Sequence, residues 1–165
     1  MDDEHWLDLA CEETVALNLN VLDKVSAIEE LAELLLRAGK LSSKTRYVED
    51  VLEREAHVPT SVGRGVAIPH ARSSAVLETA VAVGRVKGLH WADDDEQPVR
   101  MVFLLAVPID NPSSEYIGML ASLASALLND GFCGGVMSAT SKAQIVQYMR
   151  EYNICARGAK EEKTQ

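Results

Sequence analysis

The sequence is poor in cysteine, in aromatic residues and in long apolar runs. Its three cysteines, Cys11, Cys133 and Cys155, lie far apart without a C-x-x-C pair, which argues against a disulfide framework or a zinc knuckle. The longest apolar run, residues 101–107, is far shorter than the ~20 residues that a membrane-spanning helix needs. The acidic residues 1–4 do not look like a secretory signal. We therefore expect a cytoplasmic protein that is not embedded in a membrane.

Positive charge is also scarce, because 16 Lys and Arg stand against 25 Asp and Glu, for a net charge of -9 at pH 7. A nucleic-acid partner needs a basic surface, so none is expected. The histidines lack a metal-ligand spacing such as H-E-x-x-H, and the glycines form neither a dinucleotide fingerprint nor a Walker loop. No metal and no cofactor are therefore predicted. What remains is an ordinary globular composition, with 47% apolar residues in a chain of 165.

Strand and helix patterns alternate along the chain. The predicted strands are residues 14–20, 66–68, 80–86 and 99–107, and the long predicted helices are 24–38, 43–54, 114–128 and 142–152. This alternation predicts a single α/β domain with a central mixed β-sheet of about five strands, flanked by helices on both faces. We expect an N-terminal lead-in, the domain itself and a flexible tail, over residues 1–13, 14–155 and 156–165.

Capping and turn residues predict where several helices begin and end. Gly39 is expected to end the first helix in a left-handed conformation. The expected N-caps of the later helices are Ser42 or Ser43, Ser113 or Ser114, and Ser141. The third long helix is expected to bury Ile117, Leu120, Leu123, Ala124 and Leu127. Residues 93–96 read as a solvated acidic turn, and Gly134 and Gly135 lie in what we interpret as a short helical turn.

The chain is organised around residues 62–71, whose sequence is V-G-R-G-V-A-I-P-H-A. The glycines at 63 and 65 allow the backbone to bend tightly on either side of Arg64. The apolar residues 66–68 predict a buried strand, and Pro69 ends its pairing because proline has no N–H to donate. His70 is therefore expected at the end of a buried strand, held stiffly at a surface, with a loop after it.

From the residues alone, two interpretations of His70 stay open. In one it is a polar strand-end residue with one ring nitrogen satisfied. In the other it is a nucleophile or phosphate carrier, because a neutral imidazole offers a lone pair near physiological pH. A phosphoryl group would need positive charge or N–H donors around it. The nearby groups of this kind are Arg54, Arg64 and Arg72, with the hydroxyls of Thr60 and Ser61, although lone arginines are usually solvated.

The segment LEREAHVPTSVGRGVAIPHAR, residues 52–72, resembles the active-site segment of phosphotransferase-system enzyme IIA domains of the fructose, mannitol and nitrogen-regulatory class. Those domains carry R-E followed by an S-T-G-I-G-x-G-I-A-I-P-H pattern. The likeness extends to the family's first strand and helix, to its central strand in QPVRMVFLLAVP, and to the later helices. It covers about residues 14–152, and the fold that it implies is that of mannitol- and fructose-type IIA domains.

The resemblance implies that His70 accepts a phosphoryl group from the phosphohistidine of an HPr-like carrier protein. By matching position, Arg54 would stabilise that group. The implied pocket residues are Thr60, Ser61, Gly63, Arg64, Gly65 and Tyr116. Transfer between two imidazoles mainly needs in-line approach and charge stabilisation rather than a strong base.

Three departures from the family pattern bear on the role. Tyr116 stands where the family usually has a second active-site histidine, Pro59 removes a backbone donor, and Arg64 replaces an asparagine often found between the glycines. These changes favour a nitrogen-type regulatory phosphocarrier that acts on target proteins. One alternative is a sugar-transport subunit that passes the phosphoryl group to a cysteine of a IIB partner. The other is a IIA-like binding module without phosphotransfer.

Overall fold

The computed structural model describes residues 9–152, which fall into two compact units. One unit comprises residues 13–109 and carries the β-sheet. The described part of the other comprises residues 9–12 and 110–152 and is helical. Residues 1–8 of the predicted lead-in and the whole predicted tail lie outside the described residues. The end of the lead-in enters a short 3-10 turn at Glu12–Thr14.

The elements follow one another as one strand, two helices, five strands and three helices. In the sheet-bearing unit they are β1 (Val15–Ala16), α1 (Lys24–Arg37), α2 (Lys44–His57), β2 (Ser61–Gly63), β3 (Val66–Ala67), β4 (His70–Ser73), β5 (Ala80–Leu89) and β6 (Val99–Pro108). In the helical unit they are α3 (Ser113–Leu127), α4 (Asp130–Ser138) and α5 (Lys142–Glu151). The predicted α/β class with a mixed central sheet is confirmed, and the sheet has six strands where about five were expected.

Strand β6 is the centre of the sheet. It pairs antiparallel with β5 and parallel with both β3 and β4, while β1 and β2 lie outside β5 and β3. Every residue from 101 to 107 is buried, as the unbroken apolar run predicts. Strand β5 runs three residues beyond its predicted end at residue 86, because its pairing with β6 continues to Leu89.

Helices α1 and α2 pack against this sheet, α1 on β5 and α2 on β4. Gly39 adopts the predicted left-handed conformation after α1, with φ +79°. The Ser43 side chain caps α2 by accepting the Arg46 N–H, and α2 continues three residues past its predicted end at Arg54. The buried face of α1 includes Ile28, Leu31 and Leu35, whereas Val25 in the first turn is 43% exposed.

The predicted strand over residues 14–20 is wrong in length, since only Val15 and Ala16 pair with β5. The side chain of Arg85 donates to the Leu17 carbonyl at 3.2 Å, which draws that carbonyl to a side chain instead of a strand. Leu19 returns to β5 with a single N–H bond to Arg85. Apolar alternation therefore continued past the point where the ladder ends.

The predicted loop after His70 is wrong, because residues 70–73 form β4, which pairs in register with β6 from His70 opposite Leu105 to Ser73 opposite Pro108. Strand β2, over residues 61–63, was also not predicted. Both strands are too short to show an apolar pattern. Strand β4 also depends on β6, which lies more than 30 residues away in the sequence, whereas β2 pairs with the neighbouring β3.

Two predictions for α3 are also wrong. Pro112 occupies the N-cap without a side-chain bond, so neither Ser113 nor Ser114 caps the helix. Leu123 and Leu127 are buried as predicted, but Ile117 is 62% exposed, Ala124 is exposed and Leu120 is only half-buried. Met119 and Ala126 complete the buried face instead. The weak segment around residues 134–135 is a full helix, α4, and Ser141 caps α5 as predicted.

Among the described residues, no single helix is long and apolar enough to cross a membrane. Helices α3 and α4 have the required length and composition only when taken together, and the chain bends by 84° between them.

Candidate functional site

His70 is the first residue of β4, directly after the break that Ile68 and Pro69 make between β3 and β4. The Pro69 carbonyl accepts the Leu105 N–H at 3.0 Å, so β6 holds the backbone on the N-terminal side of the histidine. The side chain is 8% exposed, which corrects the expectation of a surface position. The ring is therefore held in a nearly closed setting with a narrow opening to solvent.

One ring nitrogen of His70 is committed to the backbone. Nδ1 lies 2.8 Å from the carbonyl oxygen of Ile68. A carbonyl only accepts, so Nδ1 must carry the proton of the neutral ring and Nε2 must carry the lone pair. The geometry therefore selects one tautomer and leaves the lone pair of the neutral ring on Nε2.

The surroundings of His70 favour its neutral form. Burial lowers the pKa of the ring below its usual value, and the positive charge of Arg54 acts in the same direction. The bond to the Ile68 carbonyl and the negative charge of Glu55 oppose this, but the pKa remains lowered. A neutral ring at physiological pH is the state in which Nε2 can attack an electrophile.

Arg54 lies in the last turn of α2, close enough for its charge to act on His70. Its Nη1 donates to the carbonyl of Val58 at 2.9 Å, which ties the guanidinium to the backbone just after the helix. The side chain is half-buried and belongs to the same unit as His70. The structure thus brings together the two residues that the resemblance places at the centre of the site.

Thr60 also lies near this centre, but its side chain has a different partner from the expected phosphoryl group. Its hydroxyl donates to Glu55 Oε1 at 2.6 Å, and its N–H donates to Glu55 Oε2 at 2.9 Å. Trp91 Nε1 donates to the same Oε2 at 2.8 Å. Sequence reasoning did not give Glu55 a role, although one signal was available: Glu55 follows Val51 by one helical turn on the buried stripe of α2.

Three consecutive residues of the turn between β2 and β3 have positive φ: Gly63 at 88°, Arg64 at 60° and Gly65 at 76°. A Cβ on Gly65 would lie 3.3 Å from the Pro98 carbonyl oxygen, so the second glycine also permits a close approach. The turn lines a cavity of about 410 Å³ that neither His70 nor Arg54 lines. The predicted pocket residues are thus divided between two places.

The opposite wall of that cavity is the acidic turn, lined by Asp94, Asp95 and Glu96. Asp95 is half-buried, which corrects the expectation that the whole turn is solvated. Its Oδ1 accepts from the Ser61 hydroxyl at 2.7 Å and its Oδ2 accepts from the Ala92 N–H at 3.1 Å. Ser61 therefore anchors β2 to the acidic turn, and its predicted part in a phosphoryl pocket remains a prediction.

Tyr116 and Arg72 complete the predicted residues. Tyr116 is half-buried in the first turn of α3, where its N–H bonds to the Pro112 carbonyl, and its part in the site stays a prediction. Arg72 follows His70 by two residues on β4 and donates from Nη2 to the Ile109 carbonyl at 2.9 Å. Within residues 9–152, no group of three or more His, Cys, Asp or Glu side chains is placed to hold a metal ion.

The His70 ring, with Nδ1 bonded to a backbone carbonyl and the charge of Arg54 acting on it, lies at the position that the resemblance gives to the phosphoryl acceptor. Residues 9–152 match the family model described as "Phosphoenolpyruvate-dependent sugar phosphotransferase system, EIIA 2". The chain belongs to this family. The match thus spans all of the described residues.

Two curated relatives and one solved structure place this IIA chain more closely. It is 30% identical over 88% of its length to the fructose-specific EIIABC component of Bacillus subtilis, of whose length it spans 23%. It is 29% identical over 84% of its length to the fructose-specific EIIA component of Haloferax volcanii, of which it covers 90%.

The solved structure is that of the nitrogen regulatory protein IIA-Ntr from Neisseria meningitidis. It is 27% identical, with a TM-score of 0.79 over 87% of this chain and 97% of that one. The IIA fold implied by the resemblance is therefore confirmed, and relatives of this chain include both sugar-specific and nitrogen-regulatory proteins.

Proposed function

We propose that this IIA chain is a phosphohistidine carrier in which Nε2 of His70 accepts a phosphoryl group from an HPr-like protein. The observation that carries the proposal is the 2.8 Å bond between His70 Nδ1 and the Ile68 carbonyl. It leaves the lone pair on Nε2, and burial keeps the ring neutral by lowering its pKa.

The transfer step exchanges one nitrogen–phosphorus bond for another. The Nε2 lone pair of His70 forms the new bond to phosphorus as the bond to the carrier's ring nitrogen breaks, and the carrier's imidazole leaves with that electron pair. The Nδ1 proton of His70 stays on its bond to the Ile68 carbonyl, so the step requires no general base.

Arg54 supports this step electrostatically. Its guanidinium is held by the Val58 carbonyl and acts on the His70 ring, so it can offset the charge of an incoming phosphoryl group without a large rearrangement. The same positive charge disfavours protonation of His70 before the group arrives. Arg54 therefore serves both the resting and the phosphorylated state.

For the step after phosphorylation, a regulatory role is our first proposal. A phosphoryl group adds roughly −1.5 to −2 charge at one point, which is enough to change which target protein binds. The structural likeness to IIA-Ntr supports this role, and so does Tyr116, because a phenol cannot act as an imidazolium near pH 7.

Sugar transport is the second candidate, favoured by the two fructose-specific relatives. In that role His70 would pass the phosphoryl group to a cysteine of a IIB partner. In either role the protein works in the cytoplasm, where an HPr-like carrier would meet it.

The decisive assay incubates the chain with phosphoenolpyruvate, enzyme I and an HPr-like carrier, and measures an acid-labile gain in mass. We expect the wild type to gain one phosphoryl group and His70→Gln to gain none while keeping its far-ultraviolet circular dichroism. No gain by the wild type with any carrier would contradict the proposal and leave a IIA-like binding module.

A second assay separates the two roles by adding a fructose-type IIB protein to the phosphorylated chain. The regulatory role predicts little transfer to the IIB cysteine and a gain of transfer in Tyr116→His. Rapid transfer from the wild-type chain would instead establish the sugar-transport role.

A further inference from the structure

The carboxylate of Glu55 is buried, at 5% exposure, and four donors surround it. Oε1 accepts the Thr60 hydroxyl, while Oε2 accepts the Thr60 N–H, Trp91 Nε1 and the Lys24 ammonium, the last at 3.4 Å. The Lys24 nitrogen also lies 5.5 Å from the centre of the Trp91 ring. One side chain at the end of α2 thus joins the start of α1, the segment after β5 and the loop before β2.

The bonds from Glu55 continue as far as His70. Thr60 donates two hydrogen bonds to Glu55, one from its N–H and one from its hydroxyl, and both restrain its position. The Thr60 carbonyl accepts the Ile68 N–H at 2.9 Å, and the Ile68 carbonyl accepts from His70 Nδ1 at 2.8 Å. Every step in this series is a hydrogen bond of ordinary length.

We propose that Glu55 is a positioning residue that sets the orientation and tautomer of the His70 ring through Thr60 and Ile68. Glu55 need not touch the phosphoryl group for this role. It fixes the Thr60 backbone, whose carbonyl holds the Ile68 N–H, and the carbonyl of the same Ile68 residue selects protonation at Nδ1. The effect on phosphoryl transfer rests on the function proposed above, whereas the effect on the ring does not.

Burial of this carboxylate is not explained by stability alone. A buried ion pair gains little over well-packed apolar residues of similar volume, because desolvation offsets the attraction. An apolar residue would continue the buried stripe of α2, but it could not accept the Thr60 N–H and hydroxyl. The role of the buried carboxylate is therefore to restrain the loop that leads to His70.

The test uses three substitutions in the full chain, with one matched control. Glu55→Ala removes all four bonds, and Thr60→Val removes only the hydroxyl bond within the series. Glu55→Gln keeps the shape, because its carbonyl oxygen can stay at the Oε2 position while its amide donates to the Thr60 oxygen. The control is Glu33→Ala, which removes a carboxylate on α1 that joins Arg37 and Lys44.

Two measurements are made on each protein: the His70 ring tautomer from nitrogen-15 NMR, and the single-turnover rate of phosphoryl acceptance at saturating carrier. We expect Glu55→Ala to lose the pure Nδ1–H tautomer and to slow acceptance by about 10- to 100-fold, the penalty of a misplaced nucleophile. Glu55→Gln should keep the tautomer, Thr60→Val should lie between, and Glu33→Ala should match the wild type in both measurements.

The inference is overturned if Glu55→Ala shows the wild-type tautomer and the rate of Glu33→Ala. If Glu55→Ala does not fold, Thr60→Val decides, since an unchanged tautomer and rate there overturn the inference equally. A wild type that accepts no phosphoryl group would refute the proposed function alone, because the ring tautomer still reports on Glu55.

Discussion

The segment from Ser61 to Ser73 has two parts that differ in burial, an exposed arm over residues 61–65 and a buried arm over residues 66–73. The arm before Val66 is an exposed turn with three successive left-handed residues beside a cavity. The arm after it is buried, and β4 pairs with β6 residue by residue. His70 lies on the buried arm, so the pairing of β4 with β6 fixes its backbone, whereas the turn lines a cavity that His70 does not line.

The largest effect is expected where the buried arm meets β6. Leu105 is 2% exposed, lies opposite His70, and its carbonyl accepts the Tyr47 hydroxyl at 2.9 Å. Leu105→Ala should lower the free energy of unfolding by about 2–5 kcal/mol, because it leaves a cavity beside β4. Val62→Ala on the exposed arm, where the side chain is 51% exposed, should cost under about 0.5 kcal/mol. Equal losses in urea denaturation would erase the contrast between the arms.

Arg54 separates chemistry from stability in the second comparison. Arg54→Ala should slow phosphoryl acceptance by about 100-fold, the usual cost of losing one preorganised electrostatic partner. Its free energy of unfolding should change by less than about 1 kcal/mol, since the side chain is only half-buried. The control is Arg46→Ala on the same helix, which breaks an exposed pair with Asp50. Identical single-turnover rates for the two variants would remove Arg54 from the site.

The two glycines of the turn give a finer test within the exposed arm. Both have positive φ, so alanine at either should cost about 1–2 kcal/mol of unfolding free energy. Gly63 has open space where a Cβ would lie, whereas a Cβ on Gly65 would crowd the Pro98 carbonyl at 3.3 Å. Gly65→Ala should therefore be the more destabilising in thermal unfolding. The reverse order would mean that the turn is not packed against Pro98.

The smallest effect is a pH dependence that belongs to the buried arm. Burial lowers the pKa of His70 in the folded protein, so between that lowered pKa and about 6.5 the unfolded chain binds a proton that the folded chain does not. The free energy of unfolding should therefore fall as the pH drops through this window. Above the window His70 is neutral in both states, and this loss of stability is absent. Urea unfolding from about pH 7.5 to about pH 5.5 should show a smaller drop for His70→Gln than for the wild type. A drop of equal size would assign it to other groups.

Local patterns predicted the elements that local forces determine. Helix α1 and its Gly39 end, the Ser141 cap of α5 and the buried run of β6 were all readable because apolar period, capping residue and burial agree there. Strand β4 could not be predicted, because it is only four residues long and partly polar and forms only by pairing with β6.

The site divides along the same line. The motif pointed to His70 and Arg54, and the structure places both in one unit, where the charge of Arg54 acts on the His70 ring. Glu55 was missed because its partners Lys24 and Trp91 lie 31 and 36 residues away in the sequence. The division of the pocket residues between His70 and the cavity also arises from tertiary contacts, above all that of Ser61 with Asp95.

The most direct test of the account is to locate the phosphoryl group on the ring. Phosphorus-31 and nitrogen-15 NMR of the chain, after incubation with phosphoenolpyruvate, enzyme I and an HPr-like carrier, identify the nitrogen that bears it. The account predicts a bond to Nε2 of His70, with Nδ1 still on the Ile68 carbonyl. A phosphoryl group on Nδ1 or on any other residue would contradict it.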